Sequence, residues 1–139
     1  MGASQSIQKI NFEDIQTVIK NAESYLLINT LPYFEQDCLI RSTLPGAREE
    51  ELINHHIRHT KHLKIIIYGR NCNDESIYKK YNQLLSLGFY NIYVYVGGLF
   101  EWLLLQDIYT ADLFPTTTAA ADLLKYKPSP KLNVSLLEY

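Results

Sequence analysis

The stretch KIIIYGRNCNDESIYKKYNQLLSLGFYNIYVYVGGLFEW, residues 64–102, reads as strand, loop, helix, strand, Gly-Gly turn and helix start. Ile65, Ile66 and Ile67 form an apolar run too short for a helix, and residues 92–96 form a second. Both are β-branched or aromatic, as strands buried on two faces are. Between them Ile77, Tyr81, Leu84 and Leu85 make a helical stripe that stops at Gly88. A strand, a crossover helix and a second strand predict a right-handed βαβ unit. Ligands of such units sit at the carboxyl ends of the strands, which makes the loop Gly69, Arg70, Asn71, Cys72, Asn73 and Asp74 the candidate ligand-binding loop.

Working outward, 139 residues with 47% hydrophobic content suffice for one domain with a core that needs neither disulfide nor metal. A net charge of -2 provides no basic field for a phosphate backbone, so nucleic acid is not an expected partner. Two cysteines, Cys38 and Cys72, are too few for a secreted disulfide framework, and no apolar leader opens the chain. The cytoplasm is the expected compartment. No apolar run approaches the length of a membrane span.

Asn11 is placed to cap a helix over residues 12–21, with Asp14 in its first turn and Phe12, Ile15, Val18 and Ile19 on one face. Residues 25–29 read as a buried strand broken by Pro32, and Cys38, Leu39 and Ile40 as a second short strand before the Leu44-Pro45-Gly46 turn. A helix over residues 49–62 places Leu52, Ile53 and Ile57 toward the core. After Gly97 and Gly98 a helix with Trp102 runs to about Tyr109. Thr118 would then cap a short last helix over residues 119–125. Pro128 and Pro130 mark residues 128–139 as a tail, whose Leu132, Val134, Leu136 and Leu137 are expected to pack back on the domain. The domain itself is read as residues 11–127, after an N-terminal segment over residues 1–10.

These residues resemble the rhodanese fold of the sulfurtransferases and the related cell-cycle phosphatases. Residues 26–32, Leu-Leu-Ile-Asn-Thr-Leu-Pro, sit where the family has an aliphatic strand running into Asp-Val-Arg. Leu44-Pro45-Gly46-Ala47 matches the end of its Gly-His-Ile-Pro-Gly-Ala turn. Gly88-Phe89, the strand over 92–96, Gly97-Gly98 and Trp102 match its Gly-aromatic, strand, Gly-Gly and Trp. The resemblance implies an α/β domain: a central, mostly parallel sheet of about five strands with helices on both faces. It also implies that the nucleophilic cysteine of the family would stand at Gly69, and the arginine of its phosphatases at Glu75. Asn29 and Leu31 replace the aspartate and arginine of Asp-Val-Arg. The family's cysteine chemistry therefore does not transfer, and no cofactor is expected.

Cys72 is the candidate displaced nucleophile, because the loop is about two residues longer than the family's, counted back from Gly88. A reactive thiolate needs a helix N-terminus or nearby cations. Arg70 supplies one positive charge, whereas Asp74 and Glu75 supply two negative ones. A helix start capped by Asn73 or Asp74, with an incidental cysteine, is the preferred reading. Glu51, His55, His59 and His62 line one side of the second helix, but a single helix offers zinc only a two-ligand chelate, so no metal is expected. His56, on the core side, is read as a packed, hydrogen-bonded residue.

Residues 1–6, Met-Gly-Ala-Ser-Gln-Ser, fit the M-G-x-x-x-[ST] acceptor pattern for N-myristoylation at Gly2. One myristoyl chain gives only marginal, reversible membrane binding, and Lys9 alone is no polybasic second signal. The expected function is a catalytically degenerate rhodanese-like module that binds a protein partner or a small anion, with weak contact to a cytoplasmic membrane face through Gly2. The alternatives are a sulfurtransferase or thiol-dependent phosphatase using Cys72, and a structural component of a virion or scaffold. The last follows from the acylation pattern and an Ile-, Asn- and Tyr-rich composition that suits a large DNA virus.

Overall fold

The computed structural model describes residues 6–132. In chain order these form β1 (Gln8–Ile10), α1 (Phe12–Lys20), β2 (Tyr25–Asn29), α2 (Gly46–His59), β3 (Lys64–Tyr68), α3 (Ser76–Ser86), β4 (Ile92–Tyr95) and α4 (Gly98–Ile108). Three 3-10 turns cover Ala22–Ser24, Tyr33–Glu35 and Leu123–Tyr126. The sheet has four strands in the order β1-β4-β3-β2, all parallel. Ile65 faces Leu26 on one side and Ile92 on the other.

The direction of each crossover decides which face its helix covers. Right-handed connections from β2 to β3 and from β3 to β4 step one way across the sheet, and the connection from β1 to β2 steps the other way. Accordingly α2 and α3 lie on one face and α1 lies on the opposite one. Ile28, Ile65, Ile67, Ile92 and Val94 pack with Ile53 of α2 and with Ile77, Tyr81 and Leu84 of α3. On the other face Leu27, Ile66, Tyr68 and Tyr95 pack with Ile15 and Val18 of α1 and with Leu99, Trp102 and Leu103 of α4. Because strand side chains alternate, the continuous apolar runs of β3 and β4 feed both layers at once.

Local chemistry accounts for the helix ends. Asn11 caps α1 in a capping box: its side chain accepts from Asp14 N while Asp14 accepts from Asn11 N, each at 3.1 Å. Gly88, at φ 101°, provides the left-handed residue that ends α3.

Several expectations need correction. The sheet has four strands, not five. Cys38, Leu39 and Ile40 are buried but form no strand; the segment is tied by single bridges, Ile40 to Thr116 and Leu27 to Thr43. Its polar groups are met by loops, Arg41 N donating to Pro115 O and Thr117 N to Leu39 O. The helix expected over residues 49–62 spans Gly46–His59, since Pro45, at φ -58°, already suits the residue entering a helix. The helix expected over 119–125 is only the turn Leu123–Tyr126, capped by Asp122, whose carboxylate accepts from Leu124 N. Thr118 instead donates to Asp37 O, 81 residues earlier. Gln8–Ile10, assigned to the N-terminal segment by sequence, is the edge strand. Its largely polar residues hid it, because an edge strand buries little. Gly2 lies outside the described residues, as do Val134, Leu136 and Leu137 of the tail. Leu132 itself is exposed.

Candidate functional site

The loop leaving β3 is shaped by α4. Gly98 sits at φ 70°, and a Cβ there would lie 2.8 Å from Gly69 O and 2.9 Å from Asn71 N. Only glycine allows that approach. Leu99 N then donates to Gly69 O and Phe100 N to Arg70 O, each at 2.9 Å. The first N-H groups of α4, which have no partner within their own helix, are thus satisfied by carbonyls of the loop. With its carbonyls turned to α4, the loop directs Arg70 N toward the start of α3.

Asp74 occupies that side. Its Oδ2 accepts from Arg70 N at 2.8 Å, and its Oδ1 accepts from Ser76 N at 3.0 Å and from Ser76 Oγ at 2.6 Å. Ser76 Oγ also bonds Thr30 Oγ1 at 2.7 Å, which links the loop to the end of β2. Asp74 therefore accepts from the first N-H of α3, the role the sequence offers to Asn73 or Asp74. It also fills the space beside Gly69: a Cβ on Gly69 would stand 2.5 Å from Asp74 Oδ2, 2.9 Å from its Cγ and 3.0 Å from Ile77 Cγ2.

The other loop residues are also engaged. Arg70 Nη1 pairs with Glu35 at 2.5 and 2.6 Å, its Nη2 donates to Lys125 O, and its guanidinium lies 5.6 Å from the Tyr126 ring. Asn71 is buried; its Nδ2 donates to Tyr126 O at 2.8 Å and its Oδ1 accepts from Asn73 N at 2.9 Å. The Leu123–Tyr126 turn is thereby clamped onto the loop. Burial raises the Tyr126 phenol above its ordinary pKa, and the neighbouring Lys125, bonded to that phenol, is also raised. Cys72 is exposed, with Sγ 3.8 Å from Asn73 Oδ1. Glu75 is exposed as well and heads α3.

An open pocket of about 570 Å³ adjoins this loop, with Thr30, Asn71, Asp74, Glu75, Lys127 and Lys131 among its lining. Sequence reasoning singles out six loop residues, of which Arg70, Asn71, Asn73 and Asp74 line this pocket and Gly69 and Cys72 do not. It misses Glu35, Thr30, Ser76 and the lysines that follow the Leu123–Tyr126 turn. No pattern in the sequence marks Glu35 or the docking of residues 122–131, because both depend on how irregular segments lie over the sheet.

Asn29 ends β2 and is buried; its Oδ1 accepts from Leu31 N at 3.0 Å, and its Nδ2 has no hydrogen-bond partner. Near it a larger groove of about 770 Å³ opens between α2 and α3. The histidines of α2 do not converge on a point. His55 packs its ring against His56 and His59, and His56 Nδ1 meets Thr60 Oγ1 at 2.6 Å. Burial, and then the nearby His55, lower the His56 pKa. Among the described residues no group of three or more His, Cys, Asp or Glu stands close enough to hold a metal.

The family model described as "Rhodanese-like domain" matches residues 16–105. Among solved structures, the rhodanese-like domain of the Alr3790 protein from Anabaena sp. is 22% identical with a TM-score of 0.54, covering 92% of this chain and 95% of that one. The single-domain sulfurtransferase RDL2 of Saccharomyces cerevisiae is 18% identical with a TM-score of 0.55, covering 82% of this chain and 100% of that one. The BH2092 protein from Bacillus halodurans is 21% identical with a TM-score of 0.56, covering 69% and 71%. At these identities the likeness is one of fold. No curated protein matches the chain.

Proposed function

Because the chain belongs to the rhodanese-like domain family, we propose that it is a catalytically degenerate member of it, a binding or adaptor module attached to a membrane through an acylated Gly2. The observation that supports this reading is the pairing of Gly69 with Asp74. The resemblance puts Gly69 at the position of the nucleophile, and the Asp74 carboxylate takes up the adjoining space together with Arg70 N and the Ser76 donors. In an active member such donors would hold a thiolate or an anionic substrate. Here an internal carboxylate already uses them, and a second anion beside it would be repelled.

Sulfur transfer as in the family's active members is the competing reading, and it rests on Cys72. That thiol is exposed and separated from Arg70 N by the intervening loop, and Arg70 is spent on Glu35 and Tyr126. What remains for binding is the pocket beside the loop, with Lys127 and Lys131 on its rim. Purified protein should transfer no sulfur from thiosulfate to cyanide and hydrolyse no aryl phosphate above the buffer rate. Turnover well above background that vanishes in Cys72→Ser would overturn the reading and make the protein an enzyme.

A further inference from the structure

In a parallel sheet with returning helices, one end collects the strand starts and the helix C-termini. Here that end lies opposite the Gly69 to Asp74 loop. It gathers the start of β1, the ends of all four helices and the turn from α2 into β3. That turn is Arg58-His59-Thr60-Lys61-His62-Leu63-Lys64, and no Asp or Glu occurs from Leu52 through Asn73. Arg58, Lys61 and Lys64 are exposed, and the salt bridges found among the described residues involve none of them. Lys20 ends α1 at the same place; the acids nearest this surface are Glu23 and Asp107, Asp14, which lines a cleft with Lys64, and Glu51, which lines one with Arg58 and His59.

Apolar side chains project there too. Ile108 and Tyr109 at the end of α4 are 68% and 59% exposed, and Tyr90 before β4 is 62% exposed. Ile108 and Tyr90 belong to neither core layer, and the Tyr109 ring leans with one side on the core residue Phe114, centroids 6.0 Å apart. Cations beside protruding aromatic and aliphatic side chains are the composition that suits the headgroup region of an anionic bilayer. The proposed acyl site is joined in sequence to β1, which starts at this end. Gly2 lies six residues before Gln8, a tether of at most about 20 Å. β1 and β3 are separated by two strand spacings, about 10 Å, so an acyl chain on that tether can enter the same patch of membrane as Lys61 and Lys64.

We infer that the end of the domain where its strands begin is a docking surface for an anionic phospholipid bilayer. Arg58, Lys61 and Lys64 meet the headgroups, and Tyr90, Ile108 and Tyr109 enter the interface. The surface supplies the second signal that one myristoyl chain needs for stable attachment. Its role in the cell rests on the acylated reading above, but the surface itself acts without the acyl group. The fold assembles what the N-terminal sequence alone lacks, because the basic turn is more than fifty residues away from Gly2 in the chain.

The test uses full-length protein, enzymatically myristoylated or as the unacylated Gly2→Ala form. Each is sedimented with vesicles of phosphatidylcholine alone or of phosphatidylcholine with phosphatidylserine at 3:1. The acylated protein should prefer the anionic vesicles by at least tenfold. Lys61→Glu with Lys64→Glu should erase the preference, at about fivefold or more per lysine. Lys61→Gln with Lys64→Gln should remove most of it, and Arg48→Glu with Lys79→Glu, at the opposite end, should leave it intact. Tyr109→Ser with Ile108→Ser should weaken binding to both vesicle types. The Gly2→Ala form should bind more weakly but keep its charge preference at low salt, so a failure of acylation leaves this arm readable. Equal binding to neutral and anionic vesicles, equal sensitivity to the Arg48 and Lys79 pair, or no vesicle binding by either form would overturn the inference. Circular dichroism of each variant separates lost docking from lost folding.

Discussion

Gly69→Ala tests how the loop is filled. Gly69 is outside the left-handed region, since only Gly88 and Gly98 among the described glycines have positive φ. Any cost of a Cβ is therefore one of space. That Cβ would stand 2.5 Å from Asp74 Oδ2 and 2.9 Å from its Cγ, so the carboxylate must leave. It then gives up Arg70 N, Ser76 N and Ser76 Oγ. Hydrogen bonds to a charged group contribute about 1.5–3 kcal/mol each when buried. Asp74 is only partly buried and regains water as it swings out, so the expected loss is about 2–4 kcal/mol in total. Asp74→Ala alone gives up the same three hydrogen bonds and should cost about the same 2–4 kcal/mol. In the double variant the new methyl enters the space the carboxylate has left. The two costs should then fall short of additive by at least about 1 kcal/mol in a double-mutant cycle. Urea unfolding of the four proteins, followed by circular dichroism, measures this. Additivity within about 0.5 kcal/mol would mean that Asp74 does not fill the site, and the proposed reading of the loop as inactive would fail with it. The chemistry follows the same geometry. A Gly69→Cys thiol should titrate no lower than the free value of about 8.5 while Asp74 and Glu75 are charged. It should become more acidic once both are changed to their amides.

Two further outcomes are expected. Mass spectrometry of the intact protein, expressed with the acylating enzyme, should show a myristoyl group on Gly2; a free or acetylated N-terminus would remove the acyl part of the proposed function. Tyr68→Phe should cost about 1–3 kcal/mol in urea unfolding, the usual penalty for leaving buried groups unpaired. Its hydroxyl accepts from Ile40 N at 3.2 Å and bonds Thr43 Oγ1 at 2.7 Å within the core, and a loss below about 0.3 kcal/mol would show that these groups find other partners.

Where the chain follows regular periodicity, the fold is legible in the sequence. β3 and β4 are apolar on both faces because both faces are covered, and α3 shows its stripe and its glycine stop. Gly98 was visible as part of a Gly-Gly turn, although its reason, the contact with Gly69 O, needs coordinates. Legibility fails where burial and regular backbone part company. Cys38, Leu39 and Ile40 are as buried as a central strand, yet side-chain hydroxyls and loop N-H groups satisfy their backbone: Leu39 N donates to Thr117 Oγ1, Ile40 N to the Tyr68 hydroxyl, and Leu39 O accepts from Thr117 N. Gln8–Ile10 shows the converse, a regular strand with little burial and therefore no apolar signature. Sequence periodicity reports which side chains leave water, and only indirectly where the hydrogen bonds of the backbone go.

The loop shows the same limit at the level of chemistry. Its residues could be listed from the sequence, and the two acids could be read as opposing a thiolate, but charge alone does not say where a carboxylate lies. In the fold Asp74 has three roles at once. It caps α3, holds Arg70 N, and stands where a side chain on Gly69 would begin. These roles depend on one another. Without a side chain at position 69 the carboxylate has room to reach Arg70 N, and once it is there a larger residue at 69 is excluded. The loop that results needs no substrate to satisfy its donors, so a chain with Gly69 gains nothing from keeping an anion pocket open. On the proposed reading, binding then falls to the pocket that the loop shares with Lys127 and Lys131, and to the basic end of the sheet some four helix turns away.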